Sequence, residues 1–255
     1  MTKILDSWSG SVYILSMKTI LFLTVILCLA GCGSGPRDEG LVVGASLPPQ
    51  AYLAKRIAGP HAEVLTMLRP GESPATFQPS DSEISRILGC RIYFRIRAPF
   101  ERGKWFQTLE GLGAERLRIV DATEGIPFRD IAGGGACSAC GDHDHGHDHD
   151  DGHGDEHVGR DPHVWLGPEH LATMARTMAG ALRETAPGHA GDFSASLATL
   201  EADLEALHAD IAKLMSPHAG KKYYEYHPAW GYFCDAYGLE QVPSESEGKE
   251  PSDCL

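Results

Sequence analysis

Short apolar segments alternate with segments of helical spacing along the chain after residue 40. The expected strands are residues 41–45, 64–68, 92–94 and 117–120, and the expected helices are residues 49–57, 81–88 and 104–112. Ser80 or Asp81 can cap the second of these helices, because their side chains accept hydrogen bonds from the first helical N–H groups. Parallel strands need long crossover connections, which are usually helices, so this order predicts an α/β fold with a parallel sheet.

Two further helices are predicted after residue 167. The first covers residues 168–185 and begins with Pro168, a residue favoured in the first helical turn. The second covers residues 189–215, and its apolar residues recur at alternating spacings of four and three. These residues are Phe193, Leu197, Leu200, Leu204, Leu207, Ile211 and Leu214. A coiled coil and a helix packed along a domain surface both fit this seam, and at this length we expect the packed helix.

A second α/β lobe begins after this helix. Residues 222–226 and 240–242 are predicted strands, and residues 229–237 form a predicted helix between them. The roughly 40 residues from 216 to 255 are too few for a core as large as that of the first lobe. The ending after residue 252 resembles a truncation or a frameshift, so we expect an incomplete second lobe.

The charge balance is acidic. Aspartate and glutamate outnumber lysine and arginine by 35 to 22, so the formal net charge is −13. A nucleic-acid-binding domain presents a basic face, so this balance argues against a nucleic-acid partner.

The chain has neither a His-Glu-x-x-His motif nor the His-x-His-x-Asp-His order of metallo-β-lactamases. Because a metallohydrolase needs a general base beside an open metal position, we do not expect an enzyme.

The N-terminal region predicts an export signal. Lys18 precedes an apolar run at residues 20–30, which is too short to span a membrane. The run ends at Gly31 and Cys32, in a sequence that resembles a bacterial lipobox, so Cys32 is a candidate for lipidation. An ordinary signal cleaved nearby is the alternative. We expect translation to start at Met17, with residues 1–31 as the signal segment and residues 32–40 as a tether.

Residues 142–157 consist only of His, Asp, Glu and Gly. The histidines are His143, His145, His147, His149, His153 and His157. Imidazole suits zinc, copper and nickel, and the interleaved carboxylates attract cations. The segment has no apolar side chain with which to build a core, so we expect a mobile loop that binds transition metals weakly. A solvated acidic linker without a metal role is the alternative.

Cys137 and Cys140 directly precede this segment. In an exported protein a Cys-x-x-Cys pair fits a disulfide. The alternative is a pair of thiolates that contribute metal ligands to the adjacent histidines.

Two other histidines lie in structured contexts. His163 lies in DPHVWL, residues 161–166, just before a helix, and His227 lies in YHPAWGYF, residues 226–233, between a strand and a helix. Open α/β sheets bind ligands at the carboxyl ends of their strands. Taken alone, each histidine fits a capping or packing role better than a ligand role.

Together these two segments and the helix pair between them resemble the zinc-specific solute-binding proteins of bacterial ABC importers. The acidic His-rich segment and RPGESPATFQPS, residues 69–80, are also typical of that family. The resemblance covers about residues 41–249. It implies two α/β lobes joined by a long rigid helix at about residues 189–215, with the metal in the cleft between the lobes.

The resemblance also implies the cargo and the ligands. His163 and His227 are the implied ligands for Zn²⁺. In manganese relatives a Glu usually occupies the position of His227, so the histidine favours zinc. The implied protein is a monomeric receptor outside the cytoplasmic membrane, periplasmic or lipid-anchored, that delivers Zn²⁺ to an importer permease.

The chain departs from the family pattern at two ligand positions. Family members usually carry a His where this chain has Ala75, and their last ligand, an Asp or Glu late in the second lobe, has no counterpart here. A zinc site needs four ligands, or three plus water, so His153, His157 or another loop residue is the expected third ligand. A zinc buffer or metallochaperone without a transporter, and a non-functional fragment, are the alternative interpretations.

These expectations divide the chain into five parts. An N-terminal metal-binding lobe at residues 41–167 follows the signal and tether. The helix pair occupies residues 168–215, and the partial C-terminal lobe occupies residues 216–255.

Overall fold

The computed structural model describes residues 40–113, 116–131 and 160–244. Four strands of the first lobe form one parallel sheet, in the order β2-β1-β3-β4. The strands are β1 (Leu41–Ala45), β2 (Ala62–Thr66), β3 (Ile92–Arg95) and β4 (Arg118–Asp121). The crossover helices are α1 (Pro48–Ala58), α2 (Asp81–Leu88) and α3 (Lys104–Gly113). The predicted parallel α/β sheet is therefore confirmed.

Ser80 caps α2, and it is one of the two candidates that the sequence offers for this role. Its side chain accepts a hydrogen bond from the Glu83 backbone N–H, and the Glu83 carboxylate accepts one from the Ser80 backbone N–H at 2.8 Å. This reciprocal capping box satisfies two N–H groups that a helix otherwise leaves unpaired.

The helix pair packs against the first lobe. α4 (Pro168–Thr185) has the predicted bounds, and its residues Met174, Met178 and Leu182 are fully buried. α5 (Ala190–Met215) contacts both α4 and α1. Burial of this apolar face is the main stabilising term for such helices.

The apolar seam of α5 is buried along only part of its length. Phe193 and Leu200 are fully buried, whereas Leu207 is 53% exposed and Leu214 is 66% exposed. The expected packing along a domain surface therefore holds for the N-terminal half of the helix. The C-terminal half presents apolar side chains to solvent.

The second lobe is small. β5 (Lys222–Glu225) and β6 (Glu240–Pro243) pair in parallel, and α6 (Gly231–Tyr237) connects them. Two parallel sheets joined by a long helix make up the fold class predicted from the sequence, with a partial second lobe.

Two predicted elements have boundaries that are wrong by two residues. β2 covers residues 62–66 rather than 64–68, because its ladder with β1 pairs Leu41 with Ala62 and ends at Thr66. The apolar pair after the strand, Met67 and Leu68, is buried instead in the turn. α6 begins at Gly231 rather than residue 229, because the N–H groups of residues 229 and 230 donate to the Glu225 side chain.

Several predicted features lie outside the described residues. These are the signal segment and tether with Cys32, the pair Cys137 and Cys140, and the six histidines of residues 142–157. Within the described ranges, no helix combines the length and apolar character that a membrane span requires.

Candidate metal centre

The structure brings His163 and His227 together. Their ring centroids lie 5.2 Å apart, and the rings meet edge to face at 78°. His163 directly precedes the helical turn Val164–Leu166 before α4, and His227 follows β5. Two imidazoles that share a tetrahedral zinc ion, with bonds of about 2.0–2.1 Å, have centroids roughly 5 Å apart. The pair therefore has the spacing of two ligands of one ion.

Asp161 orients the His163 ring. The Asp161 carboxylate is fully buried, and its Oδ1 lies 2.8 Å from His163 Nδ1 and accepts the His163 backbone N–H at 2.9 Å. An ionised carboxylate only accepts hydrogen bonds, so Nδ1 carries the proton and Nε2 carries the lone pair. Metal-binding histidines commonly have this carboxylate partner, which sets the tautomer and raises the basicity of the ligand nitrogen.

Arg129 and Tyr232 hold Asp161 in place. The Asp161 backbone N–H donates to the Arg129 carbonyl at 2.8 Å, and the Tyr232 hydroxyl donates to the Asp161 carbonyl at 2.9 Å. Arg129 Nη1 lies 3.6 Å from Asp161 Oδ2, which gives the buried carboxylate a cationic partner. Burial raises the pKa of Tyr232 to about 12, so the phenol keeps its proton and donates at neutral pH.

Arg129 also joins the two lobes. It follows β4 of the first lobe in sequence, and its guanidinium contacts Asp235 of α6 at 3.2 Å and Gln241 of β6 at 2.9 Å. A Cβ on Gly231 would lie 1.1 Å from Arg129 Nη1, so residue 231 must be glycine for this packing. The Arg129 guanidinium thus contacts both Asp161, which orients His163, and two residues of the second lobe.

Glu225 shapes the loop that carries His227. Its Oε2 accepts the backbone N–H groups of Ala229 and Trp230, each at 3.2 Å, and its Oε1 accepts Gln241 Nε2 at 2.6 Å. These hydrogen bonds connect the end of β5, before His227, to the residues that follow His227. The loop is therefore constrained on both sides of the candidate ligand.

Ala75 lies in the turn between β2 and α2. Its N–H donates to the Ser73 hydroxyl at 3.3 Å, and the neighbouring Pro74 carbonyl accepts the Phe100 N–H at 3.2 Å. The methyl group of Ala75 cannot coordinate a metal, so His163 and His227 are the candidate ligands that the described residues place together. The expected third ligand from residues 142–157 stays a prediction.

Sequence reasoning missed Arg129, Tyr232 and Glu225. An Asp two residues before a His is a local signal for the Asp161–His163 contact, because a short carboxylate can bond the backbone and side chain two residues on. Arg129 has no such signal, since it lies 32 residues before Asp161 in the chain.

Residues 43–253 match the family described as zinc-uptake complex component A, periplasmic, or ZnuA. The chain belongs to this family. The resemblance seen in the sequence is thereby confirmed, and the ZnuA family comprises metal-binding receptors rather than enzymes.

Individual relatives agree with this assignment. The zinc-binding lipoprotein AdcA of Streptococcus pneumoniae is 28% identical over 243 residues, which cover 92% of this chain and 46% of AdcA. The chain thus spans about half the length of this relative. A crystal structure of ZnuA superposes with a TM-score of 0.71 at 27% identity, covering 84% of this chain and 74% of ZnuA. A zinc-bound deletion mutant of ZnuA gives 0.69 at 27% identity, covering 84% and 73%.

Proposed function

We propose that the protein is an extracytoplasmic receptor that binds Zn²⁺ as its cargo and delivers it to the membrane permease of an ABC importer. The observation that carries this proposal is the His163–His227 pair with Asp161 behind His163. Membership of a periplasmic zinc-uptake family supports both the location and the metal.

The chemistry of the donors favours zinc over harder ions. Both described ligands are imidazoles, which suit borderline transition metals, whereas Mn²⁺ prefers carboxylate and water ligands. We infer that a histidine of residues 142–157 supplies a third ligand and that water completes the coordination. A site with an open position also allows the ion to leave, as a delivery protein requires.

The two ligands lie on opposite sides of the joint between the lobes. His163 leads into α4 on the first lobe, and His227 belongs to the second. A bound ion would therefore bridge the lobes at the place where Arg129 already connects them. We infer that the permease recognises this metal-bridged arrangement.

Zinc titration of point variants tests the receptor function. Purified protein competes with a chromophoric zinc chelator, and His163→Ala and His227→Ala should each remove the tightest ion while leaving weaker ions bound. His218→Ala is the matched control, because His218 lies in a separate turn at Ser216–His218. If Mn²⁺ displaces Zn²⁺ at comparable concentration, the zinc assignment is wrong.

A zinc buffer is the second candidate function, because the six histidines of residues 142–157 outnumber the two ligands of the described site. Deletion of residues 142–157 separates the two functions. A receptor keeps one ion that depends on His163 and His227, bound more weakly because the third ligand is lost, whereas a buffer keeps no ion that depends on these two histidines. Zinc-dependent stimulation of permease ATPase activity in proteoliposomes would then show delivery.

We also infer that Cys32 carries a lipid anchor. Cys32→Ala should move the exported protein from the membrane fraction to the soluble fraction. An unchanged distribution would indicate an ordinary cleaved signal.

A further inference from the structure

A second group of metal-ligating side chains lies away from His163 and His227. His61, His189 and Asp192 each offer one ligand atom, and these atoms all lie within 4.8 Å of one another. The rings of His61 and His189 stack with centroids 4.0 Å apart and 21° between their planes. His61 Nε2 lies 3.0 Å from Asp192 Oδ2. The three donors thus come from two parts of the chain, the turn before β2 and the start of α5.

Tertiary packing holds the two imidazoles in place. His61 ends the turn Gly59–His61 before β2, and His189 ends the turn Pro187–His189 before α5. Both rings rest against Phe193, with centroid distances of 5.9 and 6.1 Å, and Phe193 is fully buried. The buried Phe193 ring thus keeps the two imidazoles beside each other.

We propose that His61, His189 and Asp192 form a second site for a divalent transition metal, with Zn²⁺ as the cargo ion it would take. Two imidazoles and one carboxylate are a ligand set typical of zinc, and three protein ligands leave one position for water. Tetrahedral zinc with bonds of about 2.0–2.2 Å needs donor atoms roughly 3.3–3.6 Å apart and lies in the plane of each imidazole that binds it, so the two stacked rings must tilt apart to share one ion. Asp192 is 68% exposed and is free to rotate.

This site is separate from the proposed cargo site. It lies at the N-terminal end of α5, a helix of 26 residues that is about 39 Å long. His227 follows the other end of that helix in the chain. An ion here would tie the start of α5 to the turn before β2 of the first lobe.

Zinc protection of individual histidines tests the second site. The full chain carrying His163→Ala and His227→Ala is treated with diethylpyrocarbonate, and the labelling rate of each histidine is measured by mass spectrometry. Zn²⁺ should slow labelling of His61 and His189 together by about tenfold or more, since coordination occupies the nucleophilic nitrogen. His218 is the internal control and should label at an unchanged rate. Because the cargo ligands are already removed, the result is independent of the proposed function.

Asp192→Asn, with Asp210→Asn on the same helix as the matched control, tests the carboxylate. Loss of a direct ligand should raise the zinc concentration for half-protection by about tenfold or more. The control should leave that concentration unchanged. Equal labelling of His61 and His189 with and without zinc, or protection that extends equally to His218, would overturn the site.

Discussion

Asp161 has two oxygens with different partners. Oδ1 contacts the His163 ring and backbone, whereas Oδ2 lies 3.6 Å from Arg129 and accepts no hydrogen bond among the described residues. A buried carboxylate is costly unless it is paired, so its retention in a fully buried position needs the neighbouring guanidinium. The Asp161 carboxylate, which orients His163, is therefore stabilised by Arg129 at the joint between the lobes.

Asp161→Asn should weaken zinc binding by about 10–100-fold, because the amide lacks the charge that raises the basicity of His163. Chelator competition measures the affinity. Asp235→Asn is the matched control, since Asp235 also pairs with Arg129 but is 62% exposed. Equal losses in the two variants would show that Arg129, rather than His163, transmits the effect.

Ala75→His should strengthen zinc binding by about tenfold or more if residue 75 faces the metal, since a direct ligand contributes at least as much as its supporting partners. The measurement is a zinc titration of both proteins after deletion of residues 142–157, which removes binding by that segment. Ala75→Gln is the control for side-chain size. Unchanged affinity would mean that the match between residues 74–77 and the family's histidine loop is wrong.

At the scale of elements, α2 shows how one charge stabilises a helix start. The hydrogen bond from Arg69, followed by the bonds to Ser80, lowers the pKa of Glu83 from 4.5 to about 2. A lowered carboxyl pKa contributes stability above the unfolded value, and this contribution is lost as the pH falls through the folded value. The Arg69 side chain is largely exposed, so solvent screens this ion pair and reduces its contribution to the free energy of unfolding.

Glu83→Gln should lower the free energy of unfolding by only about 0.2–1 kcal/mol at neutral pH, because glutamine keeps the capping hydrogen bonds and only the charge of a partly exposed ion pair is lost. Urea unfolding at several pH values measures it. The difference from wild type should shrink as the pH falls from about 4.5 towards about 2, because both side chains are then neutral. Asp81→Asn should show a smaller difference, and a pH-independent loss for Glu83→Gln would contradict the ionic contribution.

At the scale of the whole molecule, the two halves of α5 differ in how much they contribute to the stability of the fold. Its N-terminal half packs against α1 and α4, whereas its C-terminal half borders a groove lined by apolar side chains. The groove residues include Trp165, Leu171, Leu204, Leu207, Ile211 and Phe233. The same heptad-like seam therefore stabilises the first lobe over only part of its length.

Leu200→Ala and Leu207→Ala form a matched pair on this seam. Leu200→Ala should cost about 2–5 kcal/mol, because it opens a cavity in the core. Leu207→Ala should change stability by no more than about 0.5 kcal/mol, since the side chain is 53% exposed. Chemical unfolding measures both, and similar costs would show that the C-terminal half of α5 is covered in solution.

Local sequence signals determined much of the first lobe and the helices. The alternation of apolar and helical segments predicted the parallel sheet, Pro168 marked the start of α4, and the pair Ser80 and Asp81 marked the start of α2. These features depend on side-chain periodicity and on hydrogen bonds between residues a few positions apart, so neighbouring residues suffice to specify them.

Only the tertiary structure decided the contacts between distant parts of the chain. The placement of Arg129 beside Asp161, the exposure of half the α5 seam and the convergence of His61 on His189 all depend on how separate elements pack. The sequence by itself marked His163 and His227 as candidates through their segments, but it contained no information on the 5.2 Å between their rings. Such distances depend on how the apolar faces of all the elements pack together, and no local sequence pattern specifies that packing.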